Sequence, residues 1–169
     1  MCSSDLYRRF LLDLRKHPHQ KSVAALVRGM SPPAFPRGVF PLMVPVPSWK
    51  KRANPLPGLI CAKACQQWRW SSADLLQRSR PVLGQHHLNR ALRMENQRGA
   101  FHCRQTANPK EARQHPVLLV DDILTSGATA LHASVALRQA GWRVHGLICL
   151  ARTPHRRQPA GGDLRCIGR

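Results

Sequence analysis

Acidic side chains are scarce in this chain: 8 Asp and Glu stand against 27 Lys and Arg, for a formal net charge of +19. Aromatic residues make up only 5% of the 169 residues, with a single Tyr. No apolar run approaches the length that spans a bilayer, and Arg and Asp interrupt the Phe10-Leu11-Leu12 stretch too early for a secretory signal. A cytoplasmic protein without membrane association is therefore expected. The six cysteines, Cys2, Cys61, Cys65, Cys103, Cys149 and Cys166, form no C-x-x-C pair. That excludes the usual zinc-finger spacing and favours reduced thiols; a zinc site from Cys61, Cys65 and His86 or His87 would lack a second pair. No protein-bound metal is expected. The charge itself has three readings: attraction to nucleic acid, attraction to anionic substrates, or arginine-rich coding bias. The cations are scattered and have few aromatics between them, which weakens a dedicated nucleic-acid surface while leaving DNA as a partner to test.

What is present centres on Val117-Leu118-Leu119-Val120-Asp121-Asp122-Ile123-Leu124-Thr125-Ser126-Gly127-Ala128-Thr129. Four apolar residues predict a strand buried on both faces, and the acids fall where it leaves the core. Ala130 to Ala140 has helix formers with apolar spacing, Gly141 supplies a C-cap, and Val144 to Leu150 returns as a strand. The pattern is a βαβ unit, whose first loop is where open α/β sheets bind ligands. Thr125 to Thr129 would offer backbone N–H groups and hydroxyls to a phosphate monoester, and Gly127 would let the backbone approach it. Asp121 and Asp122 are acceptors suited to ribose hydroxyls or hydrated Mg²⁺. Together they fit a ribose 5-phosphate. The alternative is an ordinary strand–turn–helix whose acids only cap the helix.

This stretch resembles the phosphoribosyl-pyrophosphate (PRPP) motif of type I phosphoribosyltransferases. The resemblance narrows to the ComF family, including its GntX-like members. It rests on Val44-Pro45-Val46-Pro47, on Gln85, Leu88, Arg93 and Asn96, on Arg98-Gly99-Ala100-Phe101, on the Asp121–Thr129 motif, and on Cys149-Leu150-Ala151-Arg152-Thr153. The resemblance implies an α/β, type I phosphoribosyltransferase-like fold with a mostly parallel central sheet flanked by helices. It also implies PRPP binding with Mg²⁺ through Asp121, Asp122, Thr125, Ser126, Gly127, Ala128 and Thr129. Lys50, Lys51, Arg52, Arg93 and Asn96 are candidate pyrophosphate contacts. On that stretch alone a solvated basic loop is the better account of the first three, and a basic surface helix accounts for the last two equally well. Two departures stand out. The family's Arg-Gly-Phe-Asn-Gln element is replaced by Arg52-Ala53-Asn54-Pro55-Leu56-Pro57-Gly58, and its N-terminal cysteine pairs are missing.

The chain divides by pattern into an N-terminal helical segment over 1–40, a phosphoribosyltransferase-like domain over 41–153, and a basic tail over 154–169 expected to be disordered. Two short helices broken near Pro18 are expected in the first segment, and the natural start is expected to lie upstream of Met1. The opening Cys2-Ser3-Ser4-Asp5-Leu6 is also what a common sequencing-adapter tail encodes. Leu42 to Pro47 reads as a strand, Leu59 to Trp68 as a helix, and Ser71 to Arg80 as a short capped helix. Gln85 to Phe101 resembles the loop that covers the pyrophosphate in type I enzymes.

Three functional readings follow. One is a PRPP-dependent transferase of unidentified acceptor. Another is a non-catalytic PRPP- or nucleotide-binding accessory protein for DNA uptake or handling, as the family's association with competence implies. The third is a truncated or damaged product. The transferase is the leading reading, with a homodimer as an open partnership. In purine-salvage relatives the position of Thr125 carries an aspartate, and a threonine cannot act as a base near neutral pH, so purine salvage is not supported.

Overall fold

The computed structural model describes residues 3–48, 54–80 and 90–153. The chain opens with two helices, α1 (Ser3–Lys16) and α2 (Gln20–Arg28), separated at Pro18 as the pattern predicts. Strand β1 (Leu42–Pro45) then leads to α3 (Leu56–Trp68). Pro55 and Pro57 do not block this helix; they start it. Pro55 is its N-cap and Pro57 lies in the first turn, where a missing N–H leaves no hydrogen bond unmade.

Ser71 to Arg80 departs from expectation. It forms two short strands, β2 (Ser71–Ser72) and β3 (Leu76–Arg78), rather than a capped helix. Leu75 and Leu76 are buried here, and β3 pairs antiparallel with β4 (Phe101–Cys103), so tertiary packing overrides the local capping pattern. Helix α4 (Arg90–Gln97) stands between these strands, and α5 (Pro109–Gln114) follows them. The central unit comes next: β5 (Val117–Val120), β6 (Ile123–Leu124), α6 (Ala128–Gln139), β7 (Val144–Ile148) and β8 (Ala151–Arg152).

The main sheet has the order β2-β1-β5-β7 and every pair in it is parallel. Residues alternate between its faces, as a strand's two-residue period requires. Val44, Val117, Leu119 and Leu147 join one core with α6, Leu76, Phe101 and Trp142. Met43, Leu118, Val120 and Ile148 join a second core with Leu14 of α1, Val23 and Val27 of α2, and Leu56, Ile60 and Ala64 of α3. The protein is thus a mixed α/β fold with a mostly parallel central sheet flanked by helices, compatible with a type I phosphoribosyltransferase-like fold. The N-terminal helices share the sheet's own core instead of standing apart from it. Among the described residues, no helix is long and apolar enough to cross a membrane.

Candidate ligand site at the carboxyl ends of the central strands

Strands β1 and β5 end side by side, with Pro45 opposite Val120 and Val46 N donating to Val120 O at 2.9 Å. The chain beyond β5 is held by a second, smaller ladder. Asp121 N donates to Ile148 O at 3.0 Å, β6 pairs parallel with β8, and Leu150 N donates to Asp122 O at 3.0 Å. The acid pair therefore sits on a braced loop. Asp121, Ile123, Leu124, Thr125, Gly127, Thr129 and Ala130 line a small hollow there, partly open to solvent.

The two acids have different surroundings. Asp121 is half-buried and lines the hollow. Burial, and then the negative charge of Asp122, push its carboxyl up to about 7. Asp122 is buried and its carboxylate is already engaged. Its Oδ2 meets Arg15 Nε of α1 at 2.7 Å and accepts from Asn54 Nδ2 at 2.8 Å, while Oδ1 accepts from Ile123 N at 2.8 Å. Asn54 also accepts from Leu56 N through Oδ1 at 3.2 Å, fixing it at the start of α3. Asp121 is thus the acid that faces the hollow, and Asp122 ties α1, α3 and the loop together. Tyr7, two turns before Arg15, adds a hydrogen bond from its hydroxyl to Leu150 O at 3.0 Å.

On the other wall, Gly127 opens α6 with φ +79°, a left-handed conformation that favours glycine, and it has no side chain to cap the helix. Ser126 Oγ accepts from Ala128 N over a long 3.4 Å, and Ala128 itself is buried beneath the turn. Thr125 is exposed, whereas Ser126 and Thr129 are half-buried. Of the seven motif residues, Asp121, Thr125, Gly127 and Thr129 line the hollow; Asp122, Ser126 and Ala128 support it.

The expected pyrophosphate contacts are split. Lys50, Lys51 and Arg52 lie outside the described residues, as do 81–89 and 154–169. Arg93 and Asn96 are on α4, half-buried, and neither lines the hollow. Arg93 Nε is buried without a hydrogen-bond partner.

One residue of this neighbourhood was not anticipated. Arg78, at the end of β3, lies with its guanidinium carbon 4.0 Å from the centre of the Phe101 ring. Its Nε donates to Pro47 O at 3.1 Å and its Nη1 to Gln97 Oε1 at 2.7 Å. Burial lowers its pKa to about 10, partly countered by the charge of Asp121. Three cations in Arg78-Ser79-Arg80 and Arg98 gave no pattern by which to single it out; only the pairing of β3 with β4 does so.

Magnesium fits the site only in company with a ligand. Among the described residues no three His, Cys, Asp or Glu side chains converge. Among the described residues that line the hollow, Asp121 is the one with a carboxylate, and Mg²⁺ commonly takes one carboxylate plus substrate phosphates.

No family model matches the chain, and no curated protein matches it.

Proposed function

We propose that the protein is a ComF-family, phosphoribosyltransferase-like protein that binds PRPP with Mg²⁺ in the hollow at the end of β5 and transfers its phosphoribosyl group to an acceptor. The observation that carries the reading is the convergence of Asp121, Thr125, Gly127 and Thr129 on one hollow, at the carboxyl end of a buried parallel strand. That is where ligands sit in open α/β sheets.

The chemistry follows from the groups available. The start of α6, where Gly127 supplies no cap and Ser126 accepts from Ala128 N only at 3.4 Å, suits the 5-phosphate together with the Thr125 and Thr129 hydroxyls, with Gly127 keeping the backbone clear of a side chain. Asp121, once ionised, accepts from a ribose hydroxyl and stabilises positive charge developing at C1 as the pyrophosphate departs. Bound Mg²⁺ would neutralise charge on the diphosphate. The braced loop holds Asp121 in place before the ligand arrives, so little ordering is required on binding.

Calorimetric titration of Mg²⁺–PRPP into the protein and into Asp121→Asn tests the reading. Binding that the variant loses supports it, and pyrophosphate release with an added acceptor then supports transfer. Binding without release under any acceptor favours the accessory role. A folded protein that binds no PRPP ends the proposal.

A further inference from the structure

Two cysteines on α3 stand outside the site described so far. Cys61 and Cys65 are one helical turn apart and pack into the same core beneath the sheet. Neither lines the hollow at Asp121. Cys61 is 3% exposed, Cys65 is half-buried, and both are free thiols in contact with one another. Positions four apart on a helix hold their Cβ atoms about 5–6 Å apart, beyond the roughly 3.5–4.5 Å that a disulfide requires. An intact α3 therefore lets a bridging atom join the pair but not a direct bond.

The chain then brings a further sulfur to the pair. Helix α3 ends at Arg69 in the left-handed conformation (φ 56°), and Trp70 N donates to Cys65 O at 3.1 Å, which turns the chain straight back into β2. Ser72 of β2 is thereby placed where its hydroxyl hydrogen-bonds to both thiols. Ser72 is in register with Met43 of β1, and side chains at matched positions of adjacent strands point to the same face. Met43 is fully buried in the core that holds Cys61. Two thiols and a thioether are thus collected in the core between α3 and the β1–β2 pair. Strand β2 is the edge of the sheet and Ser72 is exposed, which gives the cluster an entry path.

Sulfur donors in apolar surroundings suit a soft cation, and they are too few for zinc, which takes four ligands. We propose that Cys61 and Cys65 bind copper(I), with Met43 as a third, weaker sulfur ligand. Binding exchanges the two thiol protons for the metal: two Cu–S bonds form, two protons leave to solvent, and the copper stays monovalent. With metal–thiolate bonds of about 2.3 Å, the length zinc also forms, bridged sulfurs lie at most about 4.6 Å apart. Two thiols already in contact from successive turns meet that limit without unwinding the helix. The site lies apart from the hollow, so it stands whether or not the PRPP reading does.

The test titrates copper(I) anaerobically into the reduced full chain against a chromophoric copper(I) chelator, and repeats this for Cys61→Ala, Cys65→Ala, Met43→Leu and Cys103→Ala. The unaltered protein should withdraw one equivalent from the chelator. Either α3 variant should lose affinity by about a hundredfold or more, since even residues behind a metal's own ligands are worth roughly ten- to a hundredfold. Met43→Leu nearly keeps the volume and should lose roughly tenfold, while Cys103→Ala should match the unaltered protein. Zinc(II) in place of copper(I) should bind far more weakly. Cys65 is half-buried, so its variant serves if Cys61→Ala does not fold. An unaltered protein that withdraws no copper, copper retained by a folded Cys65→Ala, or copper lost equally from Cys103→Ala would overturn the site. An affinity unchanged in Met43→Leu would overturn the third ligand.

Discussion

Arg15 Nε and Asp122 Oδ2 are 2.7 Å apart, joining the last turn of the first helix to the second acid of the motif loop. The carboxylate is almost wholly enclosed, with its side chain 4% exposed, while the arginine is 39% exposed. Removing the arginine leaves a buried carboxylate with two hydrogen bonds instead of three contacts. Arg15→Ala is therefore expected to lower stability by about 2 kcal/mol at neutral pH, measured by urea denaturation. An unchanged midpoint would show that Asn54 and Ile123 suffice to hold the acid.

Asp121 gives a prediction in pH. Its carboxyl titrates near 7 in the folded chain, against 3.8 for an ordinary aspartate. Between those values the folded state keeps a proton that the unfolded state has released. Stability therefore falls as pH rises from about 4 to about 7, by roughly 4 kcal/mol at most. Asp121→Asn removes this contribution, so the variant should melt above the unaltered protein at pH 8 and the difference should shrink at pH 5. Affinity for Mg²⁺–PRPP should run the other way in the unaltered protein, tightening from pH 6 to pH 8 as the acceptor ionises. Parallel melting curves for the two proteins across that range would refute the assignment.

Two glycines separate backbone strain from crowding. At Gly127 an added Cβ would meet only Leu124 Cδ1, at 3.9 Å, so the left-handed φ of +79° is the whole obstacle. Gly127→Ala should cost about 1 kcal/mol and also weaken PRPP binding. At Gly141 the φ is +87° and a Cβ would fall 3.0 Å from Ala107 O, a backbone atom that cannot turn aside. Gly141→Ala should cost about 2–3 kcal/mol in the same denaturation series and leave the ratio of PRPP to ribose 5-phosphate affinity untouched.

Cys61 and Cys65 lie one turn apart on α3 and hydrogen-bond through their thiols. That contact, assisted by Ser72, draws Cys65 down to about 7, while the same contact and burial push Cys61 up. Iodoacetamide should alkylate Cys65 first, with a rate that climbs through pH 7 and levels off above pH 8. In Cys61→Ala, which removes the donor, the rise should move to higher pH. Equal rates for all the thiols at pH 7 would contradict this arrangement.

The central βαβ unit was legible because its signals are local and concordant. Val117 to Val120 is too apolar for a surface element, Gly127 and Gly141 bracket the helix, and the acids mark the strand's end. Helix α5 was missed although its start is written in the sequence: Asn108 Oδ1 accepts from Glu111 N at 2.8 Å, with Pro109 at the first helical position. Ser71 to Arg80 was misread because strands of two or three residues have no room to display a period, while Ser71 and Asp74 look like helix caps. The unequal roles of Asp121 and Asp122 were beyond sequence reasoning. They depend on Arg15 and Asn54, which reach the loop only once α1 and α3 are packed on the sheet.

The order of the sheet also has a consequence for how the chain is born. Strand β1 lies between β2 and β5, and Leu42 pairs with Val117. A ribosome releases β1 long before the segment that will cover its inner edge exists. Until β5 emerges, Met43 and Val44 have only the two-residue β2 beside them, so an arrested or slowly translated chain presents a sticky half-sheet. Demand for chaperones should therefore peak midway through synthesis and drop once residue Val120 has cleared the exit tunnel.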